Sequence, residues 1–89
     1  MANIYLLDLP FGRSGLDLAR SDADASVVLV QDGVYLDARA AVQAGMKVYA
    51  IRKDAEQRGL AGRLPASVEL IDYGRLVDLI VEHKVVNFT

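Results

Sequence analysis

The sequence predicts a small α/β domain, doubly wound, with a mainly parallel sheet of four to five strands and helices on both faces. Three observations predict it. Four short runs are β-branched or aromatic and apolar without alternation, the pattern of strands covered on both sides. The gaps between them each exceed about a dozen residues, too long for tight hairpins and long enough for helical crossovers. Those gaps also carry helix signals, so βα alternation and a parallel sheet follow.

The first run is "NIYLLD", residues 3–8. After "FGRSG", the stretch "SGLD" from Ser14 to Asp17 resembles a capping box with Asp in place of Glu, so a helix is expected from Ser14. "VVLVQ", residues 27–31, is the second strand. Beyond Gly33, "VYLDARAAVQA" puts Val34, Ala38, Ala41 and Val42 on one helical face, and Gly45 supplies a stop. "MKVYAI", residues 46–51, is the third strand, followed by a proper capping box, "DAEQ", at Asp54 to Gln57. "VELI", residues 68–71, is the fourth. In "DYGRLVDLIVEHK", Tyr73, Leu76, Val77, Ile80 and Val81 recur at helical spacing, with Gly74 weakening only the first turn. The tail "VVNFT" fits either a short extra strand or docking on another subunit.

At 89 residues the chain is expected to form one domain, residues 1–89, with one core. A domain this short buries about 60 to 65% of its unfolded surface. Yet 53% of its residues are hydrophobic, which suggests a covered partner surface. A net charge of -2 without any block of like charge argues against direct nucleic-acid binding. No apolar run reaches the roughly 18 residues that span a bilayer. The start "MANIYLLDLP" has no basic region before a long apolar stretch, so a cytoplasmic location without membrane contact is expected. The cysteine count is zero, which removes disulfides, cysteine-based zinc sites and thiol nucleophiles together.

In open parallel sheets, ligands bind beyond the carboxyl ends of the strands. Here those ends carry Asp8, then Gln31 and Asp32, then Arg52, Lys53 and Asp54, then Asp72 and Tyr73. With Gly33 and Tyr35, the residues Asp8, Gln31, Asp32, Asp72 and Tyr73 are the candidates for a strand-end crevice or interface. Asp32, Asp54 and Asp72 are expected first as caps or joints, because Asp complements a helix N-terminus. Asp32 would then cap a helix beginning near Gly33.

Weaker signals complete the reading. "FGRSG" lacks the lysine of a P-loop and the third glycine of a dinucleotide fingerprint, so a flexible turn is expected rather than a phosphate site. His83 is the only histidine and fits a partly exposed structural role. The serines lack a "GxSxG" context. Asp22 and Asp24 sit in a polar run with too few oxygens for a cation. No cofactor, metal or catalytic residue is expected.

Taken in order, "NIYLLDLPFGRSGLD", "SVVLVQDGVY", "KVYAIRKDAEQRGLAG" and "VELIDYGRLVDLIVEH" resemble the TusB/DsrH family of sulfur-relay proteins, over nearly the whole chain. "QDGVY" is the most telling block, and "QRGL" at Gln57 to Leu60 stands where the family pattern has "ARGL". The resemblance implies an α/β fold and a noncatalytic or regulatory subunit. Its partners would be TusC/DsrF-like and TusD/DsrE-like chains in a heterohexamer that relays persulfide sulfur for tRNA thiolation or sulfur oxidation. Some DsrH members carry an early cysteine, which the resemblance places at Ala19; this chain departs from them there. Persulfide transfer needs a thiolate, so the chain is not expected to carry sulfur. The alternative is a stand-alone, self-associating module that binds a small anion at the strand ends.

Overall fold

The computed structural model describes residues 2–89. Five strands form one sheet: β1 (Asn3–Leu7), β2 (Ser26–Leu29), β3 (Lys47–Ile51), β4 (Glu69–Ile71) and β5 (Lys84–Phe88), in the order β4-β3-β2-β1-β5. All neighbouring pairs are parallel. Each of the first four strands is therefore left by a crossover, and the helices are α1 (Gly12–Arg20), α2 (Arg39–Gln43), α3 (Arg52–Gln57) and α4 (Tyr73–Glu82). The α/β class, the four predicted strands and the tail in its strand form are all present.

The two faces of the sheet are covered unequally. On one, Leu7, Val27, Leu29, Val48 and Ala50 pack under α1, α2 and α3, with Leu16, Ala19, Ala41 and Ala55 facing them. On the other, Ile4, Val28, Ile51 and Ile71 meet only α4, through Leu76 and Leu79. A fully buried side chain such as Leu79 stabilises the fold by about 1.5–3 kcal/mol relative to exposure. The chain winds along one face through β1, β2, β3 and β4. It then crosses the opposite face once, in α4, to bring β5 against β1.

Local starts differ from three expectations. The first helix begins at Gly12, two residues before Ser14, and no side chain caps it. The amide of Gly12 instead bonds the Asp8 carbonyl at 2.6 Å, which pulls the helix start toward the strand end. The helix expected after Gly33 is split into a 3-10 turn over Gln31–Tyr35 and the short α2. Its apolar positions still point inward, since Val34, Ala38 and Ala41 are buried, and Gly45 ends it with φ +83°. Leu36 at the break is buried as well. Finally, α3 grows directly out of β3, with Ile51 at its N-cap position, so Asp54 lies inside the first turn and not before it.

Gly33 shows why the 3-10 turn sits where it does. A Cβ on this residue would run into the carbonyl oxygen of Leu7, so only glycine lets the chain leaving β2 pass so close to the end of β1. "FGRSG" likewise serves packing. A Cβ on Gly15 would fall 2.5 Å from Leu7 Cδ2 and 2.7 Å from the Phe88 ring, so α1 lies directly on β1 and β5. The segment is a helix start, where a flexible turn was expected.

Gly33→Ala must push backbone against backbone, and overpacking of this kind costs about 1–3 kcal/mol. A lowered urea midpoint with an unchanged slope is the expected result.

Candidate functional site

An open α/β sheet binds ligands where the crossovers of adjacent strands leave to opposite faces. Here that point lies between β3 and β4, because α3 packs on one face and α4 on the other. The crevice there is occupied by the protein's own Asp54. This carboxylate is 5% exposed, and it accepts the Gln31 amide at 2.7 Å and the Tyr73 hydroxyl at 3.3 Å. Arg58, one turn further along, donates to the Asp54 carbonyl at 3.1 Å and approaches its carboxylate at 4.0 Å. The same guanidinium donates to Asp32 at 2.9 Å.

Each participant is placed by its element. The first turn of α3 directs Asp54 back toward the exit of β2. Gln31 reaches it by adopting φ +49°, a left-handed conformation that costs a non-glycine residue about 1–2 kcal/mol. The hydrogen bond to a buried carboxylate holds that conformation in place. Tyr73 opens α4, whose N-terminus is capped by Asp72 accepting the Arg75 amide at 2.8 Å. Burial, then the charge and hydrogen bond of Asp54, push the Tyr73 phenol above its ordinary pKa. The hydrogen bond to Asp32 holds Arg58 more firmly protonated than usual.

The candidates from the sequence therefore divide. Gln31, Asp32 and Tyr73 come together around Asp54 and Arg58. Asp72 serves its own helix, as expected of a cap. Gly33 is a packing joint. Asp8 lies beyond β1, where its carboxylate accepts the Leu9 amide at 2.7 Å. Tyr35 is exposed and borders a groove of about 410 Å³ with Leu36, Leu60, Leu64 and Pro65. Two capping expectations are corrected. The 3-10 turn has no side-chain cap, and Asp32 instead forms an exposed ion pair with Arg58. Asp54 bonds outward to the 3-10 turn after β2 and to α4, because Ile51 already holds the N-cap position of its own helix.

Arg58 and the central role of Asp54 were missed from the sequence. The spacing of Asp54 to Arg58, i to i+4, was the available signal. Elsewhere, Asp22 accepts Asn3 at 2.7 Å and Tyr5 at 3.2 Å, tying the α1–β2 loop to β1. His83 Nδ1 donates to the Leu79 carbonyl at 2.7 Å at the end of α4, a structural role. Among the described residues no group of acidic or histidine side chains is arranged for a metal, and no helix is long and apolar enough to cross a membrane.

The arrangement can fix three elements but offers little to a ligand. Its central acceptor is already satisfied, and the carboxylates at this end of the sheet, Asp8, Asp32, Asp54 and Asp72, are offset by Arg52, Lys53 and Arg58. Asp54→Ala would leave the Gln31 amide and the Tyr73 hydroxyl without their charged acceptor and is expected to cost about 1–3 kcal/mol, with Asp54→Asn costing less. Denaturation midpoints measure both.

Tyr5 and Tyr73 are both raised above 10.0, with burial the first cause in each. The unfolded chain then loses these protons first as pH rises past 10.0, so stability present below that pH declines above it. Absorbance titration should show late-ionising tyrosines. Tyr73→Phe should remove one late step, and Asp54→Asn should shift it to lower pH.

A family model described as DsrH like protein matches residues 10–86. Protein TusB of Photorhabdus laumondii is 36% identical over 74 residues, covering 74% of this chain and 73% of that protein. Protein TusB of Pectobacterium parmentieri is 36% identical over 72 residues, covering 70% and 72% respectively. The crystal structure of the ychN protein from E. coli superposes with a TM-score of 0.74 at 19% identity, over 98% of this chain and 97% of that one, a likeness of fold. The family match over most of the length, together with these relatives, shows that the chain belongs to the TusB/DsrH family.

Proposed function

We propose that the chain is a noncatalytic subunit of a sulfur-relay complex, working beside TusC/DsrF-like and TusD/DsrE-like chains in the cytoplasm. The observation that carries this reading is membership of the family combined with the absence of any cysteine. Sulfur passes between proteins as a persulfide by attack of one thiolate on another sulfur, and a chain without a thiol has no atom to take part. Its contribution is structural: it completes the assembly and shapes the surroundings of a neighbour's cysteine. The role suits a tRNA-thiolating relay and a sulfur-oxidising one equally, since in both the thiol belongs to another subunit.

Two features of the structure support it. Ala19, where the resemblance places the early cysteine of some relatives, is fully buried against the sheet. A side chain there faces the core of this chain and not a donor protein. The alternative of an anion-binding module loses ground because the switch-point crevice is filled by Asp54, whose carboxylate is already bonded to Gln31 and Tyr73.

Incubated alone with a radiolabelled persulfide donor, the purified chain should acquire no label that dithiothreitol releases. Co-expressed with the TusC- and TusD-like chains of its source organism, it should copurify with them, and label should appear on the TusD-like chain. Reducible label on this chain, or a stable homo-oligomer that binds inorganic sulfate or phosphate and ignores those chains, would overturn the reading.

A further inference from the structure

The two edges of the sheet are finished differently. At one, β4 is only three residues long, Glu69 pairs with Lys47 at 3.3 Å, and Arg52 donates to the Leu70 carbonyl at 3.4 Å. Short, charged edge strands resist further pairing. At the other, β5 runs for five residues beside β1 alone, and Lys84 at its start is its only charged residue. This edge is unguarded.

The bonds to β1 fix which groups the edge offers. Lys84 donates its amide to the Ala2 carbonyl and the Phe88 carbonyl accepts the Asp8 amide, so in the parallel ladder Lys84, Val86 and Phe88 face β1. The amides and carbonyls of Val85 and Asn87 therefore point away from the sheet. An antiparallel strand satisfies all four groups when its own outward residues lie opposite these two, and β5 itself does so about a two-fold axis at Val86, with Val85 opposite Asn87 of a second copy. A slip of two residues either way takes one of the two positions beyond the end of the copy's strand. In the centred register Lys84 falls opposite Phe88 of the second copy, so no like charges meet.

Helix α1 makes the same edge apolar. Gly15 lies against Phe88, and a turn of 100° per residue puts Phe11, Ser14 and Leu18 on the flank that looks past β5. Phe11 and Leu18 are 61% and 55% exposed. Arg13, Asp17 and Arg20, all the charge the helix has, lie on the other flank beside Tyr35 and Asp37. Gly15 is level with Phe88, and three helical residues descend about 4.5 Å where one strand residue covers about 3.3 Å, so Leu18 stands near the level of Val86. The axis that pairs the strands thus brings Leu18 toward Leu18 of the second copy.

We propose that β5 pairs antiparallel with β5 of a second copy of this chain, joining two five-stranded sheets into one with the α1 helices side by side across the axis. The backbone supplies the register, and Leu18 and Phe11 supply the apolar burial that a lone strand pair lacks. A second copy is selected because one axis satisfies the strand groups and the helix flank together. The inference goes beyond the proposed subunit role and does not depend on it.

Sedimentation of the purified full chain over a range of concentrations should show a dimer. Val85→Pro removes an outward amide and no bond within the chain, and the axis counts the loss twice, so dimer affinity should fall about tenfold or more. Leu18→Asp should weaken it similarly by bringing two carboxylates together. At dilutions where the parent is monomeric, both variants should keep its circular dichroism. Because the chain has no cysteine, introduced thiols report the register. Val86→Cys places its thiols on residues about 4.5 Å apart across the axis, and mild oxidation should link the dimer; Asn87→Cys, about 8 Å from its copy, should not link. A parent chain that stays monomeric at high micromolar concentration, a dimer indifferent to Val85→Pro, or linkage through Asn87→Cys and not Val86→Cys would overturn the proposal. A monomer whose copurification with TusC- and TusD-like chains is weakened by Val85→Pro would give the edge to another subunit, overturning the second copy while leaving the subunit role standing.

Discussion

The fold depends on one buried carboxylate accepting bonds from two other elements. Asp54 lies in the first turn of α3, bonds the amide that follows β2 and receives the hydroxyl that opens α4. Without it, the left-handed residue after β2 and the start of α4 would have no common point of reference. A carboxylate this deep is tolerable only because its acceptors are used and a guanidinium lies close by. The result is a rigid floor at the point where related architectures leave an opening for chemistry.

That choice agrees with the rest of the molecule. One face of the sheet carries three helices packed closely enough to require glycine at positions 15 and 33. The other carries a single helix that cannot shield five strands. A catalytic domain of this class invests its polar groups in an accessible crevice. Here they are turned inward to hold the frame, and apolar groups are left outside. The two faces of the sheet are thus covered to very different depths.

Much of this was legible in the sequence, for physical reasons that differ by element. The strands could be read because burial on both faces leaves continuous apolar runs. Asp72 could be read as a cap because a helix follows it directly and its side chain has an amide three residues on to satisfy. Asp54 could not, since "DAEQ" has the same spacing whether its first residue turns onto its own helix or onto a neighbouring strand. Asp32 was misassigned for the same reason, its carboxylate being claimed by Arg58, 26 residues away. In α4 the periodicity identified a helix with Tyr73, Leu76, Val77, Ile80 and Val81 on its apolar side. Periodicity cannot say how wide a strip the sheet will cover, and Val77 and Val81 fell outside it.

The pairing of β1 with β5 bears on how the chain reaches this structure. Asn3 aligns with Lys84 and Leu7 with Phe88, so one edge of a central strand is completed by the strand that comes after all the others. Contacts so distant along the chain form late, because closing a long loop precedes any gain from the contacts themselves. Until β5 arrives, β1 presents a row of unpaired amides and carbonyls to whatever strand is nearby, including one from another molecule. During synthesis, crowding of nascent copies is therefore a hazard at β1, and rapid docking of the last strand protects the chain as much as it stabilises it.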